Sequence, residues 1–163
     1  MKSQSTFFLL LWSALLLVSC GRKDTLCFAF HPVQSDGWEQ HGTMVFSIDS
    51  VKQAGEYALS VGVRTTYAYP YQSLWLQVIM KMDSLPQSAV DTMELRITDS
   101  QGNILGKGKS LFQLLQPLRL YHFVAGQSGS IEVRHIMRTA TLPGVSDVGI
   151  LLQRADAIPE AAD

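Results

Sequence analysis

Hydrophobic residues recur along most of this chain with a period of two, which is the spacing of a half-buried β-strand. The clearest run follows Gly55, where Tyr57, Leu59, Val61 and Val63 alternate with small or polar residues. Comparable strand-like runs occupy residues 25–30, 43–49, 74–82, 93–97, 118–124, 131–137 and 148–152. Only residues 111–115 allow a short helix, which Pro117 would end. The pattern predicts an all-β protein, an antiparallel β-sandwich of roughly eight or nine short strands.

The first twenty residues differ from the rest of the chain. Lys2 precedes a twelve-residue apolar run, residues 7–18, which is too short to cross a membrane, since a spanning helix needs about 20 apolar residues. Leu17-Val18-Ser19-Cys20 resembles the lipobox of bacterial lipoproteins, in which the chain is cleaved before the Cys and its thiol carries a diacylglycerol. We therefore expect a signal peptide at 1–19, an acylated Cys20, a polar tether to residue 24, one domain at 25–154 and a mobile tail at 155–163.

Removal of the signal peptide leaves 144 residues, enough for one domain with a single core. Because residues 1–19 contain one base and no acid, the remainder has 12 Lys and Arg against 14 Asp and Glu. This balance gives no indication of nucleic-acid binding. With Cys20 acylated, Cys27 has no partner for a disulfide, and its apolar neighbours favour a buried thiol over a reactive one.

An unusual aromatic segment joins two of the predicted strands. Pro70 restricts Tyr69 to extended conformations, so Tyr67, Tyr69 and Tyr71 are expected to project to one side as a row. The row either covers an edge of the sandwich or forms a stacking surface for a sugar or a protein. We expect at least one of the three tyrosines to be exposed and Trp75, in the following strand, to belong to the core.

No catalytic or metal-binding constellation is apparent in the sequence. The four histidines are scattered, without a second His or a Cys at a ligand spacing, and no Gly-x-Ser-x-Gly motif occurs. His135, on an apolar strand face, is expected to be a hydrogen-bonded core residue. The sequence thus predicts a protein without a cofactor or a metal, and not an enzyme.

Several segments together resemble the gliding motility lipoproteins of the GldH type. They are Cys20, Trp38, Phe46 with the nearby Asp49, Tyr57-x-Leu59 with Arg64, Tyr69 to Leu76, Gly106-Lys107-Gly108, His135-x-Met137-Arg138, and Leu142 to Gly149. The resemblance implies an envelope lipoprotein without catalytic activity, and its segments span nearly the whole mature domain.

The expected function is that of a non-enzymatic accessory part of a gliding motility or secretion-linked assembly. Its partners would be the membrane, reached through the lipid anchor, and other proteins of the cell envelope, on either the inner or the outer membrane. The alternative is a lipid-anchored glycan-binding module that uses the aromatic segment. Arg64 and Arg138 each close a strand-like run, and we expect at least one of them to form a bidentate pair with a carboxylate, with Asp147 as the first candidate.

Overall fold

The computed structural model describes residues 25–83 and 87–157, and in this part the chain forms eleven strands and one short 3₁₀ helix. The strands are β1 (Thr25–Pro32), β2 (Trp38–Glu39), β3 (Met44–Ile48), β4 (Gly55–Thr65), β5 (Ser73–Met82), β6 (Ala89–Arg96), β7 (Lys107–Gly108), β8 (Phe112–Phe123), β9 (Gly129–His135), β10 (Thr141–Leu142) and β11 (Val145–Arg154). The 3₁₀ helix is Ala155–Ala157. The expected signal peptide, Cys20 with its tether, and tail residues 158–163 lie outside the described residues.

Two antiparallel sheets contain all the longer strands. The five-stranded sheet has the order β1-β11-β4-β8-β7, and the four-stranded sheet has the order β3-β9-β5-β6. A separate two-stranded ribbon pairs β10 with β2. The prediction of an all-β, antiparallel sandwich is therefore confirmed.

The core lies between the two sheets and follows directly from the alternation in the sequence. Leu59, Val61 and Val63 of β4 are at most 1% exposed, as are Leu74 and Leu76 of β5. Burying a side chain of this size contributes about 1.5–3 kcal/mol. The inner face of each sheet is thus apolar, while the intervening residues of the same strands point away from the core.

Polar contacts close one side of the sandwich. Arg119 and Tyr121 of β8 both bind Asp91 of β6, with Nη1 to Oδ1 at 3.0 Å and the tyrosine hydroxyl donating to Oδ2 at 2.7 Å. Burial, followed by the hydrogen bond to Asp91, raises the pKa of the Tyr121 hydroxyl. These contacts join the edge strand of the four-stranded sheet to the five-stranded sheet.

Residues 111–115 form no helix, so the sequence-based expectation for this segment is wrong. Residues 112–115 are the first four residues of β8, a strand of twelve residues that continues through Pro117. Pro117 lies beside a bulge opposite Leu59 and Ser60, and β7 pairs only with Phe112 and Gln113. Because most of β8 has no second neighbouring strand among the described residues, the proline removes little from the ladder. Proline is tolerated in strands at such edge and bulge positions.

His135 is a buried core residue, 1% exposed. Its Nε2 lies 3.0 Å from the carbonyl oxygen of Trp38, and its ring stacks edge-on against the Trp38 indole at 5.2 Å. Burial is the main influence on its pKa and lowers it, against the opposing effect of backbone hydrogen bonds at Trp38 and Glu39. The neutral imidazole is therefore the form that the folded protein favours.

This burial of His135 predicts a loss of stability in mild acid. Because its pKa is lowered on folding, the unfolded chain binds more protons below about pH 6.5, and the free energy of unfolding must fall as the pH decreases from there. Urea titrations of wild type and His135→Gln from neutral to mildly acidic pH measure the slope of the free energy of unfolding against pH. We expect a shallower slope for His135→Gln and an unchanged slope for the exposed control His41→Gln. Equal slopes in all three proteins would show that His135 is not the group whose burial makes the protein less stable in mild acid.

Candidate functional site

The aromatic segment between β4 and β5 begins with a turn. The amide of Tyr69 donates to the carbonyl oxygen of Thr66 at 3.2 Å, and the amide of Ala68 donates to the Thr66 hydroxyl, also at 3.2 Å. The Thr66 amide is itself bound to the carbonyl oxygen of Gly144 at 2.8 Å. Residues 66–69 are therefore folded back, and the extended row of three tyrosines that the sequence suggested does not form.

Tyr69 turns towards the protein and supports the segment. Its hydroxyl donates to the carbonyl oxygen of Ser73 at 2.9 Å, and its ring packs against the core. Burial, and secondarily Tyr71, raises the pKa of this hydroxyl. A Cβ at Gly144, whose φ is +77°, would lie 2.2 Å from the Tyr69 nitrogen. The Leu142-Pro143-Gly144 turn is thus fitted closely against the tyrosine segment.

Tyr67 and Tyr71 point to different surroundings. Tyr67 is 73% exposed, contacts the Phe112 ring edge-on at 4.8 Å, and donates its hydroxyl to the carbonyl oxygen of Lys109. Tyr71 is 41% exposed and contacts the Tyr69 ring at 5.8 Å. The expectation that at least one of the three tyrosines is exposed is confirmed, but the three rings do not share one surface.

Trp75 is not a core residue, and this expectation is corrected by the structure. It is 43% exposed on the outer face of the four-stranded sheet. Its neighbours Leu74 and Leu76 are fully buried, and side chains alternate between the faces of a strand, so Trp75 must point outwards. No second layer covers that face within the described residues.

Trp75 and Tyr71 instead line a groove of about 360 Å³ with residues from the end of β9. Its lining residues are Tyr71, Trp75, Ile136, Met137, Arg138 and Thr139. The amide of Ile136 donates to the Trp75 carbonyl oxygen at 2.9 Å, and the Trp75 amide lies 3.4 Å from the Met137 sulfur. We call this feature the Trp75 groove. Three residues singled out from the sequence, Tyr71, Trp75 and Arg138, meet in it.

The sequence reasoning missed the part that Ile136 and Met137 play in the groove. Ile136 is 40% exposed although it follows a strand with a buried face. Its place beside Trp75 follows from the pairing of Leu76 with His135, which brings the next residue of the chain alongside the indole. Strand register of this kind was not accessible from the hydrophobic pattern alone.

Arg138 lines the Trp75 groove, and strand register places two further arginines near it. Arg138 is exposed, and among residues 25–83 and 87–157 it makes no ion pair. The strand register places Arg96 opposite Ser73 and Arg134 opposite Gln77. The Arg134 guanidinium donates to the side-chain oxygen of Gln77. The acid nearest to Trp75 by register is Glu94, which lies opposite it on β6. The Ser73 hydroxyl donates a hydrogen bond to Glu94 Oε1 at 2.5 Å. The groove is therefore apolar with a predominantly positive rim.

Arg64 lies on the other sheet and is engaged within the domain. Its Nη1 is 3.8 Å from Asp147 Oδ1, its Nε donates to Gln113 Oε1 at 3.0 Å, and its guanidinium lies 4.2 Å from the centre of the Phe30 ring. The expected pairing with Asp147 is thus made by Arg64 and not by Arg138. The bidentate geometry expected for it is absent, since a single oxygen approaches at ion-pair distance.

The described residues hold no group of three or more His, Cys, Asp or Glu side chains that could bind a metal ion. In the same part of the chain, no helix has the length and the apolar character that a membrane span requires. Cys27 is half-buried, and its pKa is raised by burial and, to a lesser degree, by Asp49. A raised pKa lowers the thiolate fraction and with it the reactivity of the thiol.

The contrasting environments of two tryptophans give a direct test of the site. Trp38 is 1% exposed, so Trp38→Ala should lower the free energy of unfolding by roughly 3–5 kcal/mol. Trp75→Ala removes an outward-facing ring and should change it by less than about 1 kcal/mol. Chemical denaturation of both variants measures the difference. A loss for Trp75→Ala as large as that for Trp38→Ala would contradict the surface position of Trp75.

Comparison with known proteins identifies the family. The family model described as "GldH lipoprotein" matches residues 26–152. The chain is 24% identical over 158 residues to the "Gliding motility lipoprotein GldH" of Flavobacterium johnsoniae, covering 91% of this chain and 96% of that protein. The family resemblance found in the sequence motifs is thereby confirmed.

Among solved structures, the one titled "Structure of Eiger TNF from S. frugiperda" aligns with 86% of this chain and 99% of its own. The TM-score is 0.38 and the sequence identity is 11%, values that support no conclusion about fold or function. The family match covers most of the described domain, including both sheets and the Trp75 groove. The chain therefore belongs to the GldH lipoprotein family, and with it to the lipid-anchored proteins of the cell envelope.

Proposed function

We propose that this protein is a non-enzymatic accessory component of a gliding motility or secretion-linked assembly, anchored through acylated Cys20. The relative named for gliding motility covers nearly the same length of chain, which supports this assignment. The observation that carries the proposal further is the Trp75 groove. It offers a site for a protein partner on the outer face of the four-stranded sheet.

The side chains of the groove are those that dominate protein–protein binding energies. Trp, Tyr and Arg are enriched at the few positions that contribute most to such interfaces. Here Trp75, Tyr71 and Arg138 line one depression, and Ile136 adds an exposed aliphatic surface. The positive rim favours a partner segment that carries an apolar side chain next to carboxylates, since complementary charges direct association.

A glycan is the second candidate ligand, because the exposed rings of Trp75 and Tyr71 could stack on a sugar. A glycan site also needs several polar groups that fix the hydroxyls of the sugar. None of the six lining residues carries a carboxylate or an amide side chain, and besides the Tyr71 and Thr139 hydroxyls the lining offers only two donors, the Trp75 indole N–H and the Arg138 guanidinium. The apolar share of the lining favours a protein partner.

Substitutions in the groove test its role in the living cell. We expect Trp75→Ala and Arg138→Ala to leave the amount of envelope-bound protein and its melting temperature close to wild type. The same variants should reproduce the defect of a strain that lacks the protein, in gliding or in secretion according to the host. Val45→Ala, on the same sheet but distant from the groove by register, is the matched control and should behave as wild type. Full function in both groove variants would refute the proposed site.

Photo-crosslinking identifies the class of ligand. A benzophenone amino acid in place of Tyr71 should give an adduct with an envelope protein, and the adduct should be lost when Arg138 is also replaced by Glu. The reversed charge disfavours an acidic partner. An adduct that resists proteases and is removed by glycan-degrading enzymes would instead establish the glycan-binding alternative.

Anchoring depends on Cys20, which lies outside the described residues. Cys20→Ser should block acylation and cleavage by the lipoprotein peptidase, because both require the thiol. Growth with a labelled fatty acid, followed by electrophoresis, measures the modification. Cys27→Ser is the control and should retain the label. Equal labelling of Cys20→Ser and wild type would rule out this anchor.

A further inference from the structure

The outer face of the five-stranded sheet carries two neighbouring rows of apolar and small residues. Register across β1, β11, β4 and β8 aligns Phe28, Leu151, Ser60 and Pro117 in one row and Phe30, Gly149, Gly62 and Leu115 in the next. Ser60 supplies the only polar side chain in the two rows. We call these eight positions the apolar face. It lies on the opposite side of the sandwich from the Trp75 groove.

Glycines allow this face to be nearly flat. A Cβ on Gly149 would lie 2.6 Å from the Phe30 ring, and a Cβ on Gly62 would lie 2.9 Å from the same ring. The Phe30 ring therefore lies across both glycines, close to Leu115 on the far side of Gly62. Phe28 meets Phe30 edge-on at 5.9 Å and is itself 57% exposed. The result is a largely apolar surface, on which the Arg64 guanidinium lies over the Phe30 ring, 4.2 Å from its centre.

Polar residues limit the apolar surface towards both ends of the sheet. The next row at one end contains Asp147, Arg64 and Gln113, which bind one another. At the other end the next row contains Gln153, Ala58 and Leu120, and beyond it the Glu56 carboxylate of β4 lies 3.1 Å from His122 Nδ1 of β8. Contiguous apolar surface with a polar border is typical of a site that contacts another molecule or a membrane.

The chain that precedes β1 restricts what the apolar face can meet. Only residues 21–24 separate Cys20 from Thr25, where β1 begins. At about 3.3–3.6 Å per extended residue, Thr25 stays within roughly 18 Å of Cys20. β1 is the edge strand of the five-stranded sheet and supplies Phe28 and Phe30 to the apolar face. With Cys20 lipidated, β1 begins within this distance of the lipid surface, and the residues that it supplies to the apolar face are in reach of it.

We propose that the apolar face rests on the membrane lipids next to the anchor, as a second, non-covalent membrane contact. The inference rests on the Cys20 anchoring of the proposed function. A lipid surface fits the eight positions because they carry no charged side chain and a single hydroxyl. An apolar protein surface at the headgroup boundary adds a second contact to that made by the lipid anchor. The contact would turn the Trp75 groove away from the membrane.

Fluorescence quenching by lipids tests the contact in the full lipidated protein. The mature chain contains two tryptophans, the buried Trp38 and the exposed Trp75, so wild type reports from the groove. The double variant Phe28→Trp, Trp75→Phe reports from the apolar face, and Leu115→Trp, Trp75→Phe reports from its opposite edge. Each is reconstituted in vesicles of phosphatidylethanolamine and phosphatidylglycerol, with and without bromine on the acyl chains. Flotation of the vesicles measures anchoring separately.

We expect brominated lipids to lower the emission of both face reporters about twofold and to leave that of wild type nearly unchanged, because bromine quenches only at short range and the face lies at the acyl boundary. If the proteins float but neither face reporter is quenched, the contact is refuted while the anchor stands. Quenching of the Phe28 reporter alone would restrict contact to the edge strand and also overturn the proposal. Failure of wild type to float would refute the anchor and the inference together.

A second copy of the chain is the main competing occupant. In that case the face reporters would escape bromine quenching and would also be shielded from iodide added to the water. Sedimentation in detergent would then show a dimer, and Phe28→Asp would dissociate it. This outcome would overturn the lipid contact and assign the face to self-association.

Discussion

The alternation of side chains in a two-layered sandwich governs the whole molecule. Each strand has one face for the shared core, and whatever it carries on the other face must remain at the surface. β5 illustrates the constraint, because burial of Leu74, Leu76 and Val78 leaves no place for Trp75 inside. β4 shows the same constraint on the other sheet, where Ser60, Gly62 and Arg64 face outwards. Both surfaces to which we assign binding roles are by-products of core formation.

Much of the fold could be predicted because it depends on local patterns. The run from Tyr57 to Val63 specified both a strand and its buried face, and the absence of long helical patterns specified the class. The failures lie where a neighbouring strand decides the outcome. β8 continues through Pro117 because little of the strand has a partner on its second side, and a single sequence does not show which side of a strand is paired.

The candidate site was predictable in its residues but not in its arrangement. Tyr71, Trp75 and Arg138 stood out because of residue type and family resemblance. Their meeting in one groove depends on the register between β5 and β9, a pairing of segments about sixty residues apart. The expected row of tyrosines failed for a similar reason, because the turn at Thr66 is held by Gly144, a residue from a distant part of the chain.

The two proposed contacts constrain each other through the short tether. A lipid anchor alone would leave the domain free to rotate, and a partner would meet the groove in many orientations. A second contact through the apolar face would remove most of this freedom before the partner arrives, and rigidity established in advance lowers the entropic cost of binding. Since the two sheets lie back to back, contact of one with lipid presents the other to the aqueous side. The exposed arginines around Trp75 would then face a partner in water, where charge can direct its approach.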